Sequence, residues 1–253
     1  MKNVFLLITV IVGFVSVMVI SSCNKEEVKP TILIDSVVDI DGNVYKTIKI
    51  GKTWWMAENL RVTKFNNGTK LIHVTDKNDI DFPWQTLTKP AFCSYAFKQD
   101  TIGLGYLYNW HVITDTNSIA PQGWRIATDE DWKQLEAYLG MSKSELDATG
   151  WRGENVGDKM KAVGVTYWFP STDKYNVWGE DVVGFKAMAG GCRLHNGKWG
   201  NPGIGYTGMW WTSTKTSDTT ALYRYLDYKQ SKVFRAYAPL NYGMSIRCVK
   251  DDK

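Results

Sequence analysis

Aromatic residues and glycines recur along this chain in short blocks, and an apolar period of 3.6 persists almost nowhere. That pattern favours short strands joined by tight turns over a helical bundle. Twelve tryptophans, 13 tyrosines and 22 glycines against seven prolines reinforce it. Each aromatic buries a large area, which suits an irregular, loop-rich core. Most of the tryptophans are therefore expected inside. No period of 20–50 residues repeats, which argues against a solenoid or propeller.

Residues 37–50 read as a hairpin turning at Asp41-Gly42, a pair suited to positive φ. Trp54 and Trp55 follow in a strand-like stretch, where neighbours point to opposite faces. Thr128 is a good helix N-cap, and Asp129, Glu130 and Asp131 place negative charge on the first turn. Trp132, Leu135 and Leu139 share one face, and Gly140 supplies the stop. Shorter helices are expected at 142–148, from a capping box between Ser142 and Glu145, and at 157–163. Residues 61–102 are less readable. Residues 168–184 form a long loop, and strands are expected near 185–194, 208–214, 220–228, 231–238 and 244–250.

The first residues carry a different signal. Lys2 precedes an apolar run over residues 4–20, the layout of a secretory leader. Ile20, Ser21, Ser22 and Cys23 then resemble the lipobox of bacterial lipoproteins, with Cys23 as the lipid acceptor. Asn24, Lys25, Glu26 and Glu27 resemble the sorting signal that sends Bacteroidetes lipoproteins to the outer face of the cell. The expected organisation is a signal peptide over 1–22, a lipidated tether over 23–34 and one domain over 35–253. The expected location is the outer membrane, held through the lipid and exposed at the surface. Without Lys2 the 30 basic residues become 29, against 26 acidic, and no basic stripe stands out. A nucleic-acid partner is not expected.

Seven blocks occur in order: DIDGNVYKTIKIG, WWMAENLR, GYLYNW, PQGWRIATDEDWKQLEAYLG, GFKAMAGGCR, GMWWTST and YGMSIRCVK. Together they resemble the Fibrobacter succinogenes major paralogous domain family, whose members are common in lipoproteins of Bacteroidetes and Fibrobacteres. Residues 123–135 and 243–249 are also similar to the helix entry and closing strand of formylglycine-generating enzymes, with Ala127 where that pattern has proline. That second resemblance implies an α+β, C-type-lectin-like fold: short helices flanking a small twisted antiparallel sheet with long loops.

Several constellations test for chemistry. Residues 203–208 spell G-x-G-x-x-G, but Pro202 precedes them and GMWWTST follows, so the strand-then-helix context of a nucleotide site is missing. Gly51-Lys52-Thr53 imitates the end of a P-loop without its first glycine. His73, His111 and His195 are scattered, and no serine nucleophile elbow occurs. Catalysis is not expected, nor a required cofactor. Calcium is the one candidate ion, with Asp173, Asn176, Glu180 and Asp181 as oxygen ligands in the long loop. Family members often carry a cysteine before the Pro-x-Gly-Trp block, where this chain has Ala120. Cys192 and Cys248, both on expected strands, are then the candidate disulfide, leaving Cys93 reduced.

The expected function is recognition, most plausibly of glycans. Aromatic faces and planar polar groups bind sugars, and Trp168, Tyr175, Trp178, Arg193, Trp199 and Tyr206 are the candidate contacts. Two alternatives stay open: a structural or fimbria-associated component that binds protein, and an oxidative enzyme of the formylglycine-generating type. The first would display an exposed apolar patch or a free strand edge. The second would need two reactive cysteines near one cleft.

Overall fold

A computed structural model describes residues 32–76, 79–97, 103–114, 116–170, 179–200 and 203–251. In chain order the strands are β1 (Ile34–Val38), β2 (Val44–Ile50), β3 (Thr53–Met56), β4 (Ile72–His73), β5 (Ala91–Cys93), β6 (Leu107–Tyr108), β7 (Arg125–Ile126), β8 (Gly150–Arg152), β9 (Thr207–Lys215), β10 (Thr220–Asp227), β11 (Val233–Pro239) and β12 (Cys248–Asp251). Two α-helices, α1 (Asp129–Tyr138) and α2 (Val156–Met160), lie among them. The fold is α+β. Its strands form a five-stranded sheet ordered β1-β2-β3-β12-β7, a four-stranded sheet ordered β8-β11-β10-β9, and a small sheet β4-β5-β6. The two larger sheets are antiparallel throughout; β4 and β5 run parallel. No helix among the described residues is long and apolar enough to cross a membrane.

The first hairpin forms as expected. Asp39 accepts from the amides of Asp41 and Asn43 at 2.9 Å, and Gly42 supplies a φ of +83°. Trp55 is buried while Trp54, its neighbour in β3, is half-buried. Gly51, in the P-loop-like triplet, only turns the chain between β2 and β3. Helix α1 starts on Thr128, whose hydroxyl takes the Asp131 amide at 3.1 Å, while Asp131 bonds back to the Thr128 amide at 2.7 Å. Its apolar face inserts Trp132 against Trp55 and Phe185, each ring centroid within 5.5 Å of the others. These rings, with Leu135, Met160, Trp210 and Val233, form the larger core.

Residues 243–247 join the sheets. Ser245 bonds with Met209 and Trp211, Met244 with Tyr108, and the carbonyl of Arg247 with Ala127. The Arg247 side chain is fully buried, and among the described residues no carboxylate hydrogen-bonds to it. It donates instead to Asn59 Oδ1 (2.7 Å) and to the carbonyls of Met56 (2.7 Å), Phe185 (2.9 Å) and Lys186 (2.8 Å). Burial pulls its pKa down to about 9. Trp210 donates to the same Asn59 oxygen at 2.9 Å. Four of the blocks found in the sequence therefore meet at one buried junction.

A second buried polar group lies under α1. Arg224 bridges Asp129 (2.7 Å) and Glu136 (2.6 Å), Arg235 holds Asp129 at 2.8 Å, and Arg152 holds Glu136 at 2.7 Å. Two carboxylates about two turns apart on one face of α1 thus dock it onto three arginines of the four-stranded sheet.

Several expectations need correction. Residues 185–194 form isolated bridges instead of a strand, because Gly184, Lys186 and Gly191 hold φ of +76°, +55° and +70°. The Ser142–Glu145 contact forms at 2.5 Å, but the chain continues in turns, with Glu145 also accepting from Gly153. Helix α2 starts one residue early and ends at Met160. Lys161 leaves in an extended conformation, and its ammonium reaches Asp158 (3.1 Å) and Gln230 O (2.6 Å). The expected Cys192–Cys248 disulfide is absent: both are free and buried, as is Cys93. Cys248 packs in the core with Met56 and Ile246, whereas Cys192 lies against Gly200.

Candidate functional site

Of the six residues proposed as ligand contacts, Trp168, Arg193, Trp199 and Tyr206 lie among the described residues, and the first two are buried. Trp168 is only 3% exposed, and its indole donates to Ala187 O at 2.9 Å. It is a packing residue, held under Lys161 at 5.2 Å. Tyr175 and Trp178 lie outside the described residues, as do Asp173 and Asn176 of the calcium set and the lipid-acceptor Cys23. Glu180 is exposed, and Asp181 accepts from the Lys186 amide at 2.8 Å. No cluster of three metal-ligating side chains occurs among the described residues.

Arg193 is also buried, at 1% exposure. Its guanidinium bonds Asp79 (2.7 Å) and Gly197 O (3.0 Å), and stacks between Trp84 (4.7 Å) and Trp199 (4.9 Å). Trp84 is anchored in turn by an indole bond to Asn241 O at 2.6 Å. Arg193 therefore cannot grip a ligand, but it fixes the plane of the half-buried Trp199.

From Trp199 an aromatic strip follows the glycine-rich 200–208 segment. Tyr95 packs on Trp199 at 5.1 Å and donates its hydroxyl to Gly200 O at 3.0 Å. At the other end Phe169, Tyr206 and Tyr228 stand edge to face, with 5.0 Å between successive rings. Phe169 is 43% exposed, and Tyr206 and Tyr228 are half-buried. The glycines explain the arrangement. A Cβ on Gly203 would lie within 2 Å of the Tyr95 hydroxyl, and one on Gly205 would lie 2.5 Å from the Phe169 ring. The G-x-G-x-x-G letters thus encode close approach of rings to backbone, and β9 begins inside them at Thr207. Phe169, Tyr228 and Tyr95 escaped the sequence reading. The one available signal was the glycine spacing, which marks where rings approach the backbone closely.

A second group of rings lies on the four-stranded sheet. Trp151, Phe234 and Tyr225 occupy one row of directly opposed positions, with Trp151 37% exposed. Their centroids lie 5.1–6.0 Å apart. Two clefts of about 370 and 460 Å³ are each lined by one carboxylate, Asp218 and Asp39 respectively. Burial pushes the Cys93 and Cys192 thiols up to about 12, so both stay protonated at neutral pH. Burial lowers the pKa of His73 and of His111, the latter helped by Lys215.

The Fibrobacter succinogenes major domain model matches residues 48–250, most of the chain. The chain belongs to this family. The match begins within β2 and closes on β12, so it takes in both polar junctions and the aromatic strip. No curated protein and no solved structure matches significantly.

Proposed function

We propose that this family member is a surface-exposed, lipid-anchored outer-membrane lipoprotein whose lectin-like domain recognises glycans, without catalysis or a required cofactor. The observation that carries this reading is the strip of half-exposed rings at Phe169, Tyr206 and Tyr228, set on a glycine segment. A row of partly exposed rings suits the apolar faces of sugars. Among the described residues each of these two clefts is lined by one carboxylate, whereas glycoside hydrolysis uses a pair. Protonated, buried thiols do not suit oxidative thiolate chemistry.

A glycan and polysaccharide array probed with residues 30–253, with and without chelator, tests the reading. A stacked sugar ring gains about 1–3 kcal/mol by analogy with base stacking on aromatic platforms. Phe169→Ala should therefore weaken binding about ten- to a hundredfold at an unchanged unfolding midpoint, and Trp151→Ala should leave it alone. Normal binding by folded Phe169→Ala would place the ligand elsewhere. Absence of any glycan ligand would sink the reading.

One observation favours a second reading, a partner that is protein. Ile32, Leu33, Ile34, Val38, Ile40 and Val44 are all exposed on and beside the first hairpin, at the edge of the five-stranded sheet. An aliphatic patch of this kind on a strand edge is a docking feature.

A further inference from the structure

The cleft of about 370 Å³ lies where three loops are tied together by hydrogen bonds. The Leu240 amide donates to Thr219 O at 3.1 Å, and the Trp110 amide to Leu240 O at 2.8 Å. Asn241 spends its side-chain amide on Gln85 O (2.8 Å) and His195 O (3.1 Å). These bonds hold the walls together and leave polar groups on them unused. The Gln85 and Thr88 side chains, the His111 ring and Asn241 Oδ1 make no hydrogen bond among the described residues. His111 is half-buried, and burial together with the Lys215 charge keeps its ring neutral at pH 7. It then has one N–H to donate and one nitrogen to accept. Leu87, Pro239 and Leu240 supply apolar surface between these groups.

We propose that this cleft is a second saccharide site, which takes one neutral hexose unit. It rests on the glycan reading of the domain but not on the aromatic strip. A sugar ring carries hydroxyls around its rim and C–H groups on its faces, which matches bonding side chains set around leucine and proline. Clefts of about 300–1,000 Å³ hold small ligands, and this one, near the lower bound, suits a single sugar unit. Charge selects further. Asp218 lines the cleft, and its carboxylate repels acidic sugars. Lys215 stands 3.8 Å from it, so no cationic ligand is needed to balance it. The cleft is also remote from the strip. Tyr206 and Tyr228 flank the open end of the β9–β10 hairpin, whereas Asp218 and Thr219 lie in its turn. The nine residues of β9, at about 3.3 Å each, separate the two by about 30 Å, so both sites can be filled at once.

Saturation-transfer NMR on the full-length chain in a sugar-free detergent tests this. The probes are methyl glucoside, methyl galactoside, methyl mannoside and methyl glucuronide. Phe169→Ala disables the strip, so a glycoside that still binds this variant reports on the cleft. At least one neutral glycoside should bind it, and methyl glucuronide should not. Adding His111→Ala or, separately, Gln85→Ala should weaken that binding about five- to tenfold, since each removes one bonding group. Neither side chain is bonded within the described protein, so the unfolding midpoint should not move. Undiminished binding in both double variants, or equal binding of methyl glucuronide, would overturn the proposal. If Phe169→Ala binds none of the neutral glycosides while the wild-type chain binds a glycan on the array, the cleft is overturned and the strip reading stands. Array binding as strong in Phe169→Ala as in wild type, and lost on adding His111→Ala, would do the reverse. If no chain binds any sugar, both fall.

Discussion

Replacing Asp129 with asparagine tests whether the charges under α1 contribute to stability as charges or only as shape. Asp129 Oδ1 accepts from Arg224 at 2.7 Å and from Arg235 Nε at 2.9 Å, and Oδ2 accepts from Arg235 at 2.8 Å. Burial by itself raises its carboxyl, but the bonds and charges of Arg235 and Arg224 outweigh burial and hold it at about 2. The ordinary value is 3.8, so the folded state binds this proton more weakly than the unfolded chain. The stabilisation is therefore complete above pH 3.8 and is lost as pH falls through 2. At 1.36 kcal/mol per pH unit, the difference is worth about 2 kcal/mol. The asparagine amide keeps the shape and one acceptor but not the charge, so Asp129→Asn should cost about 2–3 kcal/mol at pH 7. Near pH 2 the gap between the two proteins should shrink below about 1 kcal/mol. Urea unfolding followed by tryptophan fluorescence at several pH values reads this directly, since Trp132 and Trp210 are buried in the adjoining core. An equal gap at pH 7 and pH 2 would refute the electrostatic account and leave packing as the cause. No gap at either pH would mean that the buried pairs only break even against a neutral isostere.

Other consequences are open to measurement. Gly157→Ala would ordinarily help a helix, but a Cβ there meets Lys232 O at 2.6 Å and Ser231 O at 2.8 Å. It should destabilise by more than about 1 kcal/mol, and a raised melting temperature would show that the α2–β11 approach is looser than described. Cys23→Ser should abolish incorporation of a fatty-acid analogue, and equal labelling of both chains would remove the lipid anchor from the account. Whole-cell protease shaving should release the domain from intact cells. Protection there, with cleavage after lysis, would place it facing the periplasm.

Local chemistry made much of this protein legible in its sequence. The Asp41-Gly42 turn, the Thr128 cap with its acidic first turn, and the strands at 207–215, 220–227 and 233–239 all appear about where patterning placed them. Each depends on residues within a few positions of one another: a positive φ, an N-cap oxygen, a period of two. The block order also sufficed to place the chain in its family. What sequence could not weigh was long-range partnership. Arg193 looked like a planar ligand group, yet it is enclosed by Trp84 and Asp79, more than a hundred residues earlier. Trp168 looked like one of several loop aromatics, but folding seals it under Lys161. Arg247 carries no sign that it will stand buried among carbonyls, nor Asp129 and Glu136 that three distant arginines will face them. The same letters, G-x-G-x-x-G, fit a phosphate loop or a bed for aromatic rings. Only the rings brought in from residues 95 and 169 distinguish the two, because a missing Cβ acquires meaning from whatever the fold packs into its place.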